Sequence, residues 1–240
     1  FPHAVGFKVI GQTTGIADAQ LYYLVNDLVG ERMLLEQSEK GTTAYRIITE
    51  KFREHVYRSI PEEERTKLHE KAARGMEGLL AELGEAALDE IAAQYRKTVQ
   101  ADKIVEFCLK AGDRALARGL NRVAMELFET ATDTLPRARN KEPQADLLER
   151  MGLAGVRMAE GDGAVRRLQQ ALGAMAKRVD RQIVIHRGLA LAHLRHDRFG
   201  EASRALEAAY NLLGRKEKPA DVDVHLLLSR SALAREDVAK

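Results

Sequence analysis

Three closely spaced histidines, His186, His193 and His196, form the densest group of potential metal ligands in the sequence. Their spacing would place His193 and His196 on one face of a helix. No cysteine or carboxylate completes a clear ligand set beside them, and His193 also occupies a packing position of the repeats described below. We therefore predict that these histidines bind no metal.

Two short segments contain the residue types of known catalytic motifs but lack essential parts of them. Segment 40–43 has the Lys, Gly and Thr of a phosphate-binding loop in the wrong order, without a leading strand or a following helix. His69 and Glu70 are not followed by the second histidine of a zinc-protease helix. No nucleophile with a neighbouring base stands out. The sequence therefore predicts a non-catalytic chain that uses no cofactor.

The composition favours helices that pack through small side chains. Apolar residues make up 45% of the chain and charged residues 31%, whereas aromatic residues reach only 5% and Trp is absent. The net charge of +2 does not demand nucleic acid or an anionic membrane as a partner. A single cysteine, Cys108, fits a reducing compartment, and no apolar stretch has the length of a membrane span. We expect an all-α, cytoplasmic protein with no membrane partner.

A repeated order of small and bulky residues begins near residue 102. In the first copy Gly112 and Ala124 provide room where two helices cross, Phe128 is a bulky plug, Ala131 is small again, and Pro136 stops the second helix. The order returns twice, at Gly152, Gly155, Ala164, Leu168 and Ala171, and at Leu189, Ala190, His193, Ala202, Leu206 and Ala209. This order is typical of tetratricopeptide (TPR) repeats.

The repeat period is about 39 residues, longer than the common TPR unit of about 34. We predict repeats at about 102–138, 142–179 and 181–215 and a partial fourth repeat at 219–240. Such units bury their apolar faces only by stacking, so the expected architecture is a TPR-like right-handed α-solenoid. A plain antiparallel helical bundle with Ala-rich seams is the alternative.

The residues before the repeats follow a different plan. The patterns predict a helix at 18–35, a strand at 44–48 and a helix at 49–59. Helices followed by a small β wing indicate a winged-helix-like domain over residues 1–60. Pro61 and the glutamates after it start an irregular helical pair that opens the solenoid at 61–101, with helices ending near Gly84 and Val99. The solenoid itself is expected over 102–240.

Two adjoining segments, 45–60 and 63–73, resemble the end of the winged-helix domain in bacterial signal-transducing NTPases of the STAND class, including maltose-regulon-activator-like regulators. The resemblance extends to four further segments, 9–13, 28–34, 90–95 and 111–116. Members of this family are often fused to serine/threonine kinases, adenylate cyclases or DNA-binding output domains. The resemblance implies the regulatory region of a larger bacterial signalling protein. Thr49 stands where the family often has His, so no nucleotide contact is carried over to this position.

The first helix of each repeat lines the concave face of a TPR solenoid, and its side chains are candidates for partner binding. Counting along the repeats gives six candidates: Asp146, Glu149, Arg157, Arg187, Arg195 and Arg230. The paired donors of arginine match carboxylate groups, so we expect a protein or peptide partner with acidic residues. The alternative is that these are ordinary solvated helix charges.

Two other kinds of ligand are considered. A small-molecule effector, as sensed by transcriptional activators of the resembling family, would favour aromatic residues in the groove, and the repeats offer few: Phe128, Phe199 and Tyr210. DNA is disfavoured although the segment carries the basic residues Lys51, Arg53 and Arg58. Their acidic neighbours Glu50 and Glu54 would repel the DNA phosphates. A protein partner is preferred over both.

The ends of the sequence lead to one further expectation. The chain begins without Met and ends within a helical pattern at Lys240, so we expect it to be a piece of a longer protein. A partial fourth repeat would leave an apolar surface, which further repeats or self-association would cover.

Overall fold

The structure is a computed structural model that describes residues 4–39, 42–141 and 143–213. It divides into two compact units, Phe1–Phe107 and Cys108–Lys240. Two features predicted from the sequence, the partial repeat at 219–240 with Arg230 and the first half of the turn at 40–43, lie outside the described residues. None of the helices in the described ranges is both long and apolar enough to cross a membrane.

The first unit contains a small antiparallel sheet in the part that the structure describes. Its strands are β1 (Val5–Gly6), β2 (Leu34–Glu39) and β3 (Thr42–Ile47), and β3 lies between the other two. Tyr45 on β3 pairs with Val5 on β1 and packs into a core with Leu21 and Val25. The strand predicted at 44–48 is thus confirmed as part of β3.

Two helices, α1 (Phe7–Thr14) and α2 (Asp18–Gly30), precede β2 and β3. The predicted helix at 18–35 was too long, since Leu34 and Leu35 are already in β2 and pair with β3. Helix α2 ends because Arg32 adopts a left-handed conformation with φ of 58°. The Met33 amide then bonds the Leu28 carbonyl at 2.9 Å, which completes a Schellman motif.

Four further helices complete this part of the chain: α3 (Glu50–Ser59), α4 (Glu62–Gly78), α5 (Leu80–Leu83) and α6 (Ala87–Tyr95). The hydroxyl of Thr49 caps α3 by accepting a hydrogen bond from the Phe52 amide at 3.2 Å. The helix predicted to run to Gly84 is interrupted at Leu79, and its successor ends at Tyr95 instead of near Val99. The prediction of two helices after Pro61 was therefore right in place but not in length.

Helical hairpins follow, at the places where the repeats were predicted. Helix α7 (Ala101–Ala117) runs across the division between the units and precedes α8 (Asn121–Thr134), which ends in a 3-10 turn at Leu135–Arg137. The next hairpin pairs α9 (Pro143–Arg157) with α10 (Asp162–Ala174). The third pairs α11 (Val179–Leu194) with α12 (Phe199–Leu213). The fold is all-α with a small sheet, and its repeats are TPR-like, as predicted.

Glycines allow the two helices of a hairpin to cross at very short distance. A Cβ atom added to Gly152 on α9 would lie 2.6 Å from the Leu168 Cγ atom on α10, and one added to Gly112 would overlap the ring of Phe128. In the third hairpin Ala190 faces Leu206, and both are fully buried. The small and bulky positions identified in the sequence are therefore the positions at which the helices interlock.

The close crossing predicts opposite effects for two glycines of the same repeat. Gly152→Ala should lower the free energy of unfolding by about 1–3 kcal/mol, because the new methyl group overpacks against Leu168. Gly173→Ala on α10 should raise it by up to about 1 kcal/mol, because no atom lies within 4 Å of the added Cβ and alanine favours helix. Urea unfolding of both variants measures the difference, and equal effects would contradict the crossing.

Candidate partner-binding site

The first helices of successive repeats end in the same way. Each ends in a Schellman motif with one left-handed residue: Gly119 after α7, Ala159 after α9 and Asp197 after α11. In this motif the amide of the left-handed residue bonds a carbonyl of the last helical turn, and those acceptors are Leu116, Val156 and Leu194. The repeats thus share their helix ends as well as their crossings.

Two of the predicted site residues make an equivalent contact at these helix ends. The Arg157 guanidinium, at the end of α9, donates to the Leu116 carbonyl of α7 at 2.8 Å. The Arg195 guanidinium, just after α11, donates in the same way to the Val156 carbonyl of α9. Each arginine therefore occupies the free lone pair of a carbonyl in the preceding repeat, where the helix dipole favours a positive charge. Both side chains are exposed.

The two predicted acidic residues lie on α9 and pair with arginines at the start of α11. Asp146 pairs with Arg178 at 2.8 Å, and Glu149 pairs with Arg181 at 2.8 Å. Counting along the repeat places Glu149 on an open face, whereas the structure buries it to 2% exposure. Burial raises the pKa of the Glu149 carboxyl, and the neighbouring Arg181 charge opposes that rise. The two carboxylates thus already have cationic partners within the repeats.

Of the other two predicted residues, Arg187 and Arg230, only Arg187 lies within the described part of the chain. Arg187 is half-buried on α11. A pair that sequence reasoning missed joins α9 to α7, where Arg150 donates from Nε and Nη2 to both Asp113 carboxylate oxygens, at 2.5 and 2.9 Å. Opposite charges placed about one repeat apart would have been the signal for such contacts. That the six predicted residues bind a partner remains a prediction.

An apolar groove lies beside the start of α9. A cavity of about 280 Å³ is lined by Thr132, Leu135, Pro136, Lys141, Gln144, Leu147 and Leu148. Three of these residues, Lys141, Gln144 and Leu148, also line an adjoining depression that reaches Gln170 and Ala174 on α10. The Lys141 ammonium group donates to the Leu135 and Pro136 carbonyls at 2.5 and 2.8 Å. The residues that line the groove offer aliphatic contacts, and none of those named is aromatic.

Of the three closely spaced histidines, two lie on α11 and His196 is exposed just after it. His186 and His193 are half-buried on α11, and burial lowers the pKa of both rings. The Nδ1 atom of each has no hydrogen-bond partner in the part of the chain that the structure describes. Over the same residues no three His, Cys, Asp or Glu side chains come together as a metal site would require.

The first unit contains a hydrogen-bonded relay that joins three helices. Gln94 on α6 donates from its amide to Glu90 at 2.5 Å, so its carbonyl oxygen accepts from the His69 Nδ1 atom at 2.6 Å. The His69 Nε2 atom must then accept from the Tyr57 hydroxyl of α3 at 2.8 Å. Burial lowers the pKa of His69, and the charges of Lys97 and Arg65 lower it further.

Of the basic side chains considered for DNA contact, most are paired with carboxylates on their own helix. Arg53 pairs with Glu50, and Arg58 lies 3.6 Å from Glu54. These glutamates reduce the positive field that a phosphate backbone requires.

The pairs on α9 predict unequal effects of removing two arginines. Arg181→Ala should lower the free energy of unfolding by about 3 kcal/mol or more, because it leaves the buried Glu149 carboxylate without its partner. Arg178→Ala should cost at most about 1 kcal/mol, because its side chain is 54% exposed and solvent screens its pair with Asp146. Chemical denaturation at neutral pH compares them, and similar losses would contradict the burial of Glu149.

The relay predicts a pH dependence of stability. The folded-state pKa of His69 is depressed, so its contribution is complete above the unfolded pKa of about 6.5 and is lost as pH falls below that value. His69→Gln should therefore reduce the loss of melting temperature between pH 7 and about pH 5. His55→Gln, on the exposed surface of α3, is the control and should leave that loss unchanged. If His69→Gln lost as much melting temperature between pH 7 and about pH 5 as the wild type, His69 would not be a source of the pH dependence.

Comparison with solved structures includes the following match. A chain in the crystal structure of the APC/C hetero-tetramer Cut9-Hcn1 aligns over 94% of this chain with a TM-score of 0.45 and 14% sequence identity. This chain spans 43% of the length of that chain. No protein-family model and no curated protein sequence matches.

Proposed function

We propose that this chain is the non-catalytic, protein-binding regulatory region of a larger bacterial signal-transduction protein, either a STAND NTPase or a serine/threonine kinase-associated regulator. The observation that carries the protein-binding part is the row formed by Arg157 and Arg195 at equivalent places in successive repeats. The order of elements before the repeats supports the regulatory context, since two helices followed by a β hairpin fit the predicted winged-helix-like domain.

The ligand that this row fits is an acidic peptide. Each guanidinium carries five N–H donors, and within residues 4–39, 42–141 and 143–213 one of them is used, on the carbonyl of the preceding repeat. The bond fixes the orientation of the guanidinium, and the donors that remain can take a carboxylate in paired geometry. The carbonyl bond thus reduces the entropy that each arginine loses when it binds a ligand.

The spacing of the repeats sets the spacing of the acidic residues. Neighbouring packed helices lie about 8–10 Å apart, so Arg157 and Arg195 should be separated by about that distance. A peptide in the polyproline II conformation covers about 9 Å in three residues and presents side chains i and i+3 on the same side. The expected ligand therefore has acidic side chains at positions i and i+3. Asp146 and Glu149 act in this proposal by fixing α9 against α11, while Arg187 extends the candidate surface. Arg230 lies outside the described residues.

A direct test measures the affinity of a synthetic acidic peptide with carboxylates at i and i+3. We expect Arg157→Ala with Arg195→Ala to weaken binding by about tenfold or more, because two charge-assisted contacts are lost. Fluorescence polarization at several salt concentrations gives the dissociation constants. A peptide in which Gln and Asn replace Glu and Asp should not bind.

The matched control removes two exposed arginines elsewhere in the repeats, Arg122 and Arg166. Arg122→Ala with Arg166→Ala changes the net charge equally, so it should alter affinity by less than about twofold if the contacts are specific. Lysine at 157 and 195 keeps the charge but not the paired donors, and should bind with intermediate affinity. Equal losses in the control, or unchanged affinity in the first double variant, would contradict the proposal.

A small-molecule effector is the second candidate, and the groove beside α9 favours it. Its volume of about 280 Å³ and its aliphatic lining suit a small apolar ligand with one polar group near Lys141. Leu148→Phe would fill the groove. If that variant abolished the response to an effector and left peptide affinity unchanged, the small-molecule function would replace the peptide-binding function.

A further inference from the structure

Helix α2 in the first unit uses only one side for folding. Leu21 and Val25 are buried, each with 3% exposure, and pack with Tyr45 of β3. Val29 continues the same stripe and is half-buried. The rest of the helix surface makes no part of that core.

A second apolar stripe on α2 faces solvent. Tyr23 is 74% exposed, Leu24 43% and Leu28 39%. At about 100° per residue these side chains and Asp27 lie within an arc of about 140°, and the Leu28 edge of this arc adjoins Leu21 of the buried stripe. Met33, directly after the helix, is exposed too, and its amide bonds the Leu28 carbonyl. We call the residues Tyr23, Leu24, Asp27, Leu28 and Met33 the α2 face.

A helix whose apolar surface extends well beyond its buried stripe is typical of a helix that packs against a second element. Isolated exposed apolar residues are ordinary, but three of them on adjacent turns of one helix form a continuous surface. Tyrosine adds a large, stiff side chain with a polar tip, and Met33 adds an adaptable one. The α2 face therefore has the composition of a protein-binding surface.

The charge of α2 selects among possible partners. The helix carries Asp18 and Asp27 and neither Lys nor Arg, with Glu31 following directly and Arg32 after it. The Asp27 carboxylate has no ion-pair or hydrogen-bond partner among residues 4–39, 42–141 and 143–213. Such a surface repels phosphate, which disfavours nucleic acid and anionic lipid. It also disfavours a second copy, because two α2 faces would bring like charges together.

We propose that the α2 face is the docking site for an amphipathic helix of a partner protein, with aliphatic residues against Tyr23, Leu24 and Leu28 and a Lys or Arg opposite Asp27. This site lies in the first unit and goes beyond the peptide site proposed for the repeats. The two sites call for opposite charge, since the arginine row takes an acidic ligand and the α2 face takes a basic one.

The test uses two synthetic amphipathic helical peptides that share one leucine face and differ in having Lys or Glu on the polar face. We expect the Lys peptide to bind the whole chain more tightly than the Glu peptide. Leu24→Ser with Leu28→Ser should weaken the Lys peptide by about tenfold or more, because the buried apolar contact is lost. Asp27→Lys should reverse the preference between the peptides.

The matched control is Leu68→Ser with Leu83→Ser, which removes two leucines of similar exposure, 41% and 40%, from α4 and α5. It should leave both affinities unchanged, and thermal unfolding should show that both double variants remain folded. Equal binding of the two peptides, or equal loss in the control, would overturn the proposal. So would a wild-type dimer by sedimentation that Leu24→Ser with Leu28→Ser converts to a monomer, since the occupant would then be a second copy.

Discussion

The close crossing of two helices within each hairpin is the constraint on which the repeats depend. Gly112 lies against Phe128 and Gly152 against Leu168 at distances that leave no space for a Cβ atom. Because the helices approach so closely, the bulky side chain of one is enclosed by the backbone of the other. Every other feature of the repeats, including the position of the next hairpin, builds on this interlocked pair.

The charged residues of the repeats have two uses, and the structure separates them. Asp113, Glu149 and their arginine partners join the first helices of neighbouring repeats and are wholly or partly removed from solvent. Arg157 and Arg195 also touch the preceding repeat, but through one donor each and from exposed positions. A charge on a solenoid can thus fix the stack and still present donors to a ligand. Exposure and the number of donors already used distinguish the two uses.

The hairpins could be predicted from the sequence because they depend on small and bulky residues that recur at a regular spacing. Gly152 and Leu168 can be recognised from size alone, without knowledge of what they touch. The end of α2 was harder, because Leu34 and Leu35 continue a helical pattern and become strand only by pairing with β3. The partners of Asp146 and Glu149 were not predicted, since they come from the next repeat and depend on how far the hairpins rotate when they stack. A sequence gives the candidate charges of such a site but not the pairs that they form.

The arginine contacts between repeats all point in one direction. Arg157 bonds a carbonyl of the repeat before it, and Arg195 does the same one repeat later. The ends of α7 and α9 are therefore each completed by an arginine of the following repeat. The free energy of such a contact is shared by the two repeats, so each stabilises the other equally. What differs is the group that local opening leaves behind: a carbonyl without its second donor when the later repeat opens, and an arginine in solvent when the earlier one opens.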